Sequence, residues 1–301
     1  MDGERTDIFH HWHPIEDLPG EFVGYSPPGL EALTKLWPQR VEEARASGEL
    51  DRFLTRLKRR WSIETGAVEG LYQLSRGVAE TLIERGFIAA LIPHGANGQL
   101  PEEIAMILED HEYVLDGLFE FVAAKRDLTT SYIKQLHQAI CRTQETAAGR
   151  DPFGNKTQIP LRKGAWKMRP NSPRRKDGLT HQYCPPEQVD IEIERLLRLH
   201  HEHMEKGVSP VVEAAWLHHR FVQIHPFQDG NGRVTRCLST LVLLRARLLP
   251  MIVRVDEKEV YYDTLEAADG GDLRPLIQLI FEDQRRSVRE ISILARGDGR
   301  T

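Results

Sequence analysis

The stretch His225-Pro-Phe-Gln-Asp229-Gly-Asn-Gly-Arg233-Val-Thr-Arg236 combines an imidazole, a carboxylate, a glycine-rich turn and two arginines within twelve residues. Pro226 disfavours helical geometry at the residue before it. The apolar helix that leads into the stretch is therefore predicted to end near His225 and to leave the imidazole on a loop. Asp229 supplies a hard oxygen ligand of the kind that Mg²⁺ shares with waters and substrate phosphates.

The glycine-rich turn is predicted to bind phosphate. Gly230, Asn231 and Gly232 tolerate positive φ, so successive backbone N–H groups are able to point into one concavity. The apolar run that follows fits a buried helix, whose N-terminal end would face that concavity and attract anions. Arg233 and Arg236 would share one face of this helix, and a guanidinium fork binds phosphate oxygens two at a time.

The stretch resembles the motif of the Fic family (filamentation induced by cAMP), His-Pro-Phe-x-Asp/Glu-Gly-Asn-Gly-Arg-x-x-Arg, and meets every fixed position. The resemblance implies transfer of a nucleoside monophosphate, usually AMP from ATP, to a Ser, Thr or Tyr hydroxyl of a protein. It implies that His225 is the general base and that Asp229 holds Mg²⁺. The nucleotide-binding residues that it implies are Asp229, Gly230, Asn231, Gly232, Arg233 and Arg236, the last at the γ-phosphate.

A second resemblance lies upstream. Thr65-Gly-Ala-Val-Glu69-Gly70 is similar to the Ser/Thr-x-x-x-Glu-Gly/Asn motif that regulates many Fic proteins. It implies self-inhibition, in which Glu69 pairs with Arg236 and prevents productive placement of the γ-phosphate. A bidentate pairing with arginine is the stronger kind of carboxylate contact. The alternative is a solvated glutamate on a helix surface, because so short a pattern also occurs by chance.

The pattern along the chain predicts an all-α fold, a Fic-type helical core with a small β-hairpin flap and an N-terminal helical region. Three regions are expected: residues 1–104 with the inhibitory motif at 65–70, a catalytic core at 105–250, and closing helices at 251–301. Within them, Thr129 or Thr130 is suited to cap a helix that follows. Periodic apolar spacing indicates helices at roughly 28–59, 62–86, 101–124, 210–224 and 273–294.

A basic segment precedes the motif. Residues 156–176 hold eight Lys or Arg and no Asp or Glu, interleaved with Trp166 and Met168. Fic proteins carry a hairpin flap at this place, and the resemblance implies a flap at about 156–186 that docks an extended segment of the target protein. A solvated loop and a nucleic-acid contact remain alternatives, the latter unlikely.

Aromatic and histidine residues outside the motif suggest further sites. Tyr261 and Tyr262 resemble an aromatic pair that lines the nucleotide-base pocket in related Fic proteins, and ordinary packing of a helix start is the alternative. Three histidine clusters begin at His10, His200 and His218, and none matches a known metal-ligand spacing. The pair His218 and His219 is expected to be packed or hydrogen-bonded, and structural zinc at these clusters is the disfavoured alternative.

Composition favours a protein of the cytoplasm. The net charge of −5 and the pI near 6.2 argue against a general nucleic-acid or membrane-surface protein. The three cysteines have no spacing suited to zinc or to a disulfide framework, and they are expected to be free thiols in a reducing compartment. No apolar run reaches the length of a membrane span, and the N-terminus does not resemble a signal peptide.

Two classes of function are therefore expected. The first is an enzyme, a self-inhibited protein adenylyltransferase that uses ATP and Mg²⁺, with transfer of another nucleoside monophosphate or removal of AMP as variants. The second is a regulatory module that binds nucleotide without turnover. Because His225 and Asp229 are both present, the enzyme is favoured. Its partners would be ATP and a protein target on the flap, with self-modification and a homodimer as further possibilities.

Overall fold

The computed structural model describes residues 8–94, 99–150, 155–173 and 178–295. Within them the chain is mainly helical with a few short strands, which confirms the predicted all-α class. The helices are α1 (Leu30–Ala46), α2 (Leu50–Val68), α3 (Arg76–Arg85), α4 (Pro101–Ala123), α5 (Thr130–Ile140), α6 (Val189–Glu205), α7 (Pro210–Ile224), α8 (Asn231–Arg245), α9 (Lys258–Asp269) and α10 (Arg274–Ala295).

The strands form two separate pairs. Strands β2 (Thr146–Arg150) and β3 (Lys156–Pro160) make an antiparallel hairpin, whereas β1 (Ile8–His10) and β4 (Thr180–His181) pair in parallel. The hairpin begins ahead of the range 156–186 predicted for the flap, because β2 belongs to the segment directly after α5. Residues 151–154, between the two strands in sequence, and residues 174–177 of the predicted range lie outside the described residues.

Helices α7 and α8 lie at the centre of the fold and contact each other along their length. Both are buried on almost every face, which is the pattern of helices enclosed by others. Helices α4, α5 and α10 pack around them, and the main core extends from Ile15 in the N-terminal arm to Ile291 in α10. The two helices therefore hold the motif stretch between them on a rigid base.

Part of the N-terminal region packs into this core, and part of it forms a second, smaller hydrophobic core. The predicted helix at 28–59 is divided into α1 and α2 at Ser47-Gly48, where Gly48 adopts a φ of 75°. The predicted helix at 62–86 is likewise divided, since α2 ends before Gly70 and α3 begins at Arg76. The expected boundary at 104/105 falls inside α4, so the N-terminal region and the core share this helix.

Two further expectations concern the whole chain. The three cysteines are free and buried, as predicted. Within the described residues, no helix has both the length and the apolar composition that a membrane span needs.

Candidate active site

His225 stands where α7 ends. Its backbone takes the left-handed conformation with a φ of 49°, and its N–H donates to the carbonyl of Phe221 at 3.0 Å. This is the helix end that Pro226 predicts. The imidazole Nδ1 lies 3.2 Å from the carbonyl oxygen of Val222. Because a carbonyl only accepts, Nδ1 carries the proton in this contact and Nε2 keeps its lone pair.

The surroundings of His225 keep its imidazole neutral. The ring of Tyr183 stacks parallel to it at 3.8 Å. Burial lowers the pKa of His225 to about 3, and the nearby cation of Lys167 acts in the same direction. At pH 7 the imidazole is therefore uncharged and able to accept a proton.

Part of the basic segment holds the motif loop in place. The Lys167 N–H donates to the Pro226 carbonyl at 2.8 Å, and Lys167 Nζ lies 3.3 Å from the carbonyl of Ile224. Asn171 Nδ2 donates to the carbonyl of Phe227 at 2.7 Å. Lys167 is almost fully buried. This portion of the predicted flap is thus a strap packed on the active loop, because its backbone and amide groups satisfy the carbonyls that the loop leaves open.

Asn231 stabilises the same loop from the inside. Its Oδ1 accepts from the Phe227 N–H and its Nδ2 donates to the Phe227 carbonyl, both at 2.8 Å. The side chain is only 1% exposed. Its amide is therefore committed to the loop, which leaves the backbone N–H of Asn231 as the group that it offers to an anion.

A glutamine outside the motif joins the carboxylate to the first arginine. Gln144 Nε2 donates to Asp229 Oδ2 at 2.7 Å, and Gln144 Oε1 accepts from Arg233 Nη2 at 2.5 Å. Burial acts to raise the pKa of Asp229, but Arg233 and the hydrogen bonds from Gln144 and Gly230 hold it below its ordinary value. An ionised carboxylate that lines a cavity is chemically suited to Mg²⁺, the cation that the motif implies.

The N-terminal turn of α8 has backbone N–H groups suited to an anion. The N–H groups of the first turn of a helix have no partner within the helix, and Gly232 lies in that turn. A carboxylate already occupies the position: a Cβ built on Gly232 would lie 2.2 Å from Glu69 Oε1. The glycine thus permits an approach that any side chain would prevent, and the anion that makes it is Glu69.

Arg236 is the centre of the contact between α2 and α8. It is 1% exposed, and its Nη1 lies 2.9 Å from Glu69 Oε1, the pairing that the upstream motif implies. Its Nε donates to Thr65 Oγ1 and its Nη2 to the Thr65 carbonyl, both at 2.7 Å. Each of the three guanidinium nitrogens is therefore in contact with α2 or with Glu69 directly after it.

The end of α2 positions Glu69. Gly70 follows it with a φ of 73°, a conformation that favours glycine and lets the chain turn away after the last helical residue. Inside the helix, a Cβ on Gly66 would meet the Tyr72 hydroxyl at 2.4 Å. That hydroxyl donates to the Ile63 carbonyl at 2.8 Å, which fixes the returning chain against the helix.

A cavity of about 760 Å³ opens beside the motif. Its wall includes Glu69, Tyr183, His225, Gly232, Tyr261 and Tyr262. Tyr261 is buried, and its hydroxyl lies 2.7 Å from His218 Nε2, whereas Tyr262 is partly exposed. On the other side of the motif, a cavity of about 600 Å³ between α4 and the hairpin is lined in part by Gln144, Asp229 and Arg233.

The structure brings together all the residues expected at the site: Thr65, Glu69, Gly70, His225, Asp229, Gly230, Asn231, Gly232, Arg233, Arg236, Tyr261 and Tyr262. Sequence reasoning missed Gln144, Lys167, Asn171 and Tyr183. They carry no motif of their own, and their side chains reach the site only because the fold returns the chain there. The histidine pair 218–219 is packed and hydrogen-bonded as expected, to Ser239, Tyr261 and Asp269.

Comparison with known proteins agrees with this geometry. The model of the Fic/DOC family matches residues 127–243. The protein adenylyltransferase Fic of Aedes aegypti is 42% identical over 79 residues, which are 26% of this chain and 16% of that protein. The protein adenylyltransferase fic-1 of Caenorhabditis elegans is 32% identical over 104 residues, which are 35% of this chain and 20% of that protein.

The fold is also that of a solved Fic protein. A Fic domain containing signaling protein from Bacteroides thetaiotaomicron superposes with a TM-score of 0.70 at 24% identity, over 89% of this chain and 97% of that chain. At this identity the match shows the fold alone. The chain spans about a fifth or less of the two curated relatives named above. The complete motif therefore lies within residues 127–243, the segment of this chain that matches the Fic/DOC family.

Proposed function

We propose that the chain is a protein adenylyltransferase, which transfers AMP from ATP to a hydroxyl group of a protein. One observation carries the proposal: the neutral His225 borders the same cavity as the N-terminal turn of α8, where a carboxylate already binds. A base and an anion site on one cavity are what nucleotidyl transfer to a hydroxyl requires. The names of the curated relatives in Aedes and Caenorhabditis support the same reaction.

The reaction then has a defined proton path. The target hydroxyl oxygen attacks the α-phosphorus of ATP, and the bond between that phosphorus and the oxygen bridging to the β-phosphate breaks. Pyrophosphate leaves, and the hydroxyl proton passes to Nε2 of His225. The contact from Nδ1 to the Val222 carbonyl fixes the required tautomer, and the stacked Tyr183 fixes the plane of the ring. The polyanionic nucleotide would raise the basicity of this imidazole as the proton is transferred.

The phosphates would occupy the anion site of α8. The backbone N–H groups at Asn231 and Gly232 and the guanidinium of Arg233 would hold the α- and β-phosphates, and Arg236 the γ-phosphate. Asp229 would hold Mg²⁺, which when bound neutralises charge on the phosphates. Tyr261 and Tyr262 would line the pocket for the nucleobase of ATP.

Glu69 would inhibit the reaction by competition. Its carboxylate lies at Gly232 and pairs with Arg236, so a triphosphate and Glu69 would require the same groups. Productive binding therefore requires that the end of α2 move away. The released Arg236 would then have three donor nitrogens for phosphate oxygens.

The target would dock beside the hairpin. The edge of β2–β3 has backbone groups for an extended segment, and Gln228 of the motif donates to the Pro160 carbonyl at 3.3 Å, which links the hairpin to the active loop. A target segment bound to this edge would place its hydroxyl group next to the imidazole of His225. The three-region division of the chain, self-modification and a homodimer are part of the same proposal.

The test uses full-length Glu69→Gly and Glu69→Gly/His225→Ala, each incubated with Mg²⁺ and ATP labelled at either the α- or the γ-phosphate. The proposal predicts label on protein from α-labelled ATP with Glu69→Gly only, together with an intact-mass gain of one AMP. Label from γ-labelled ATP would identify phosphoryl transfer instead. Nucleotide binding without label, in the presence of candidate target extracts as well, would favour the regulatory module.

A further inference from the structure

A cluster of metal-ligating side chains lies at the rim of the larger cavity, outside the motif. His10, His181 and Asp269 each offer a ligand atom, and these atoms all lie within 4.8 Å of one another. They come from β1, β4 and the last residue of α9. The cluster is distinct from Asp229, and the transfer reaction proposed above does not use it.

The fold holds the three side chains in place. The parallel pairing of β1 with β4 sets His10 opposite His181, and their rings stack at 4.7 Å with an angle of 19° between planes. Asp269 is held from behind by His219, whose Nε2 lies 2.9 Å from Asp269 Oδ1. His219 is buried in α7. A ligating carboxylate that is itself hydrogen-bonded by a buried partner is a usual feature of metal sites.

The contacts within the cluster are incomplete without an ion. His181 Nδ1 and Asp269 Oδ2 are 3.8 Å apart, too far for a hydrogen bond. Two ligands of one tetrahedral zinc, each at about 2.0–2.1 Å, are separated by roughly 3.4 Å. In addition, the Nε2 of His10 is buried and has no hydrogen-bond partner among the described residues. A buried nitrogen without a partner typically costs about 1–3 kcal/mol, so a bound ion would remove an unfavourable term.

We propose that His10, His181 and Asp269 bind a divalent transition metal of the zinc class. Two imidazoles and one carboxylate suit Zn²⁺, whereas Mg²⁺ and Ca²⁺ prefer oxygen ligands. Three protein ligands leave one tetrahedral position for water or for a group of a bound ligand. The site would cross-link the N-terminal arm to β4 and α9.

This location gives the metal a consequence for the cavity. His181 and Asp269 line the same cavity as Tyr261 and His225. An ion that fixes His181 would also fix β4, which leads directly to Tyr183, the residue stacked on the catalytic base. A metal held by these residues would therefore stabilise the wall of the cavity.

The experiment is a titration of the chelator-stripped full chain with Zn²⁺ and, separately, with Co²⁺ in Mg²⁺-containing buffer. Calorimetry should give one equivalent bound, and Co²⁺ should give the intense visible absorption of a low-coordinate site. His10→Gln, His181→Gln and Asp269→Asn should each weaken binding by about tenfold or more, as loss of a ligand does. The exposed His11 of the same arm provides the matched control, and His11→Gln should bind as wild type does.

Thermal unfolding with and without Zn²⁺ separates binding from misfolding. The account predicts a rise in the unfolding midpoint with Zn²⁺ for wild type and His11→Gln, and none for the three ligand variants, which should show wild-type circular dichroism. Of the three ligand variants, His10→Gln should disturb the fold least, because it changes only the N-terminal arm. Failure of folded wild type to bind one equivalent, binding that survives loss of both His10 and His181, or equal loss with His11→Gln would overturn the proposal.

Discussion

The carboxylate of Glu69 lies directly on Gly232, so that a methyl group at Gly232 would be 2.2 Å from Glu69 Oε1. The same oxygen is 2.9 Å from Arg236 Nη1. Glu69 is 24% exposed at its side chain whereas Arg236 is 1% exposed, so the arginine is the fixed partner and the glutamate the one able to leave. Glu69 thus lies between the first turn of α8 and a fully buried guanidinium.

The Thr65 hydroxyl should contribute to the docking of α2. Thr65→Val removes the acceptor for Arg236 Nε and leaves a buried donor without a partner. We expect a loss of about 1–3 kcal/mol in the free energy of unfolding, measured by urea denaturation. Thr65→Ser keeps the hydroxyl and should lose less. A larger loss in Thr65→Ser than in Thr65→Val would show that the methyl group, not the hydrogen bond, is what matters.

Gln144 should act through the two motif residues that it joins. In a Glu69→Gly background, Gln144→Ala releases Asp229 and Arg233 and is expected to lower the rate of AMP transfer by about 10- to 100-fold, the value of one or two hydrogen bonds to charged groups. The exposed Gln135 of α5 provides the control. If Gln144→Ala and Gln135→Ala were equally active, Gln144 would have no positioning role.

Asn231 should matter for the loop rather than for phosphate affinity. Asn231→Ala leaves the Phe227 N–H without its side-chain partner, whereas the Phe227 carbonyl keeps the hydrogen bond from Asn171, and the change should cost about 1–3 kcal/mol of unfolding free energy. Asn231→Asp keeps the acceptor and should cost less. Urea denaturation measures both. An unchanged stability combined with weaker ATP binding would instead assign the amide to the nucleotide.

His111 should make the fold less stable in acid. Burial lowers its pKa to about 3 from an ordinary 6.5. Below pH 6.5 the unfolded chain therefore takes up a proton that the folded chain does not, and this contribution destabilises the fold as the pH falls toward 3.

The measurement is the slope of the unfolding free energy between pH 6 and pH 5. His111→Gln should flatten that slope by roughly 1 kcal/mol per pH unit, the effect of about one proton. His13→Gln, on the exposed arm, should leave it unchanged. A slope identical in wild type and His111→Gln would mean that His111 is not held neutral.

Local rules predicted what depends on neighbours in the chain. Pro226 ended α7 at the expected place, and the Thr129 hydroxyl caps α5 by accepting from the Tyr132 N–H. The contact of Glu69 with Arg236 was implied by the resemblance of two motifs to those of one family, in which the two residues pair. Helix ends without such signals were harder: the break at Gly48 depends on a single glycine whose positive φ no periodicity indicates.

Contacts made by the fold were not predictable from local pattern. Gln144 and Tyr183 belong to no sequence motif. They reach the active loop because they follow α5 and β4, which the fold places beside it. His10 is part of a histidine-rich arm that has no metal-ligand spacing in the chain, yet the parallel pairing of β1 with β4 sets it beside His181. The basic segment was expected to face a target, and the burial of Lys167 shows that part of it serves the loop instead.

The most direct test of the inhibited state is the rate of AMP transfer by wild type, Glu69→Gly and Glu80→Gly, measured with α-labelled ATP. Glu80 in α3 is the control, a partly exposed glutamate that pairs with Arg60 away from the motif. We predict a rise of about tenfold or more for Glu69→Gly alone, the inverse of the fraction of molecules in which Glu69 is displaced. Equal rates for wild type and Glu69→Gly would contradict the account.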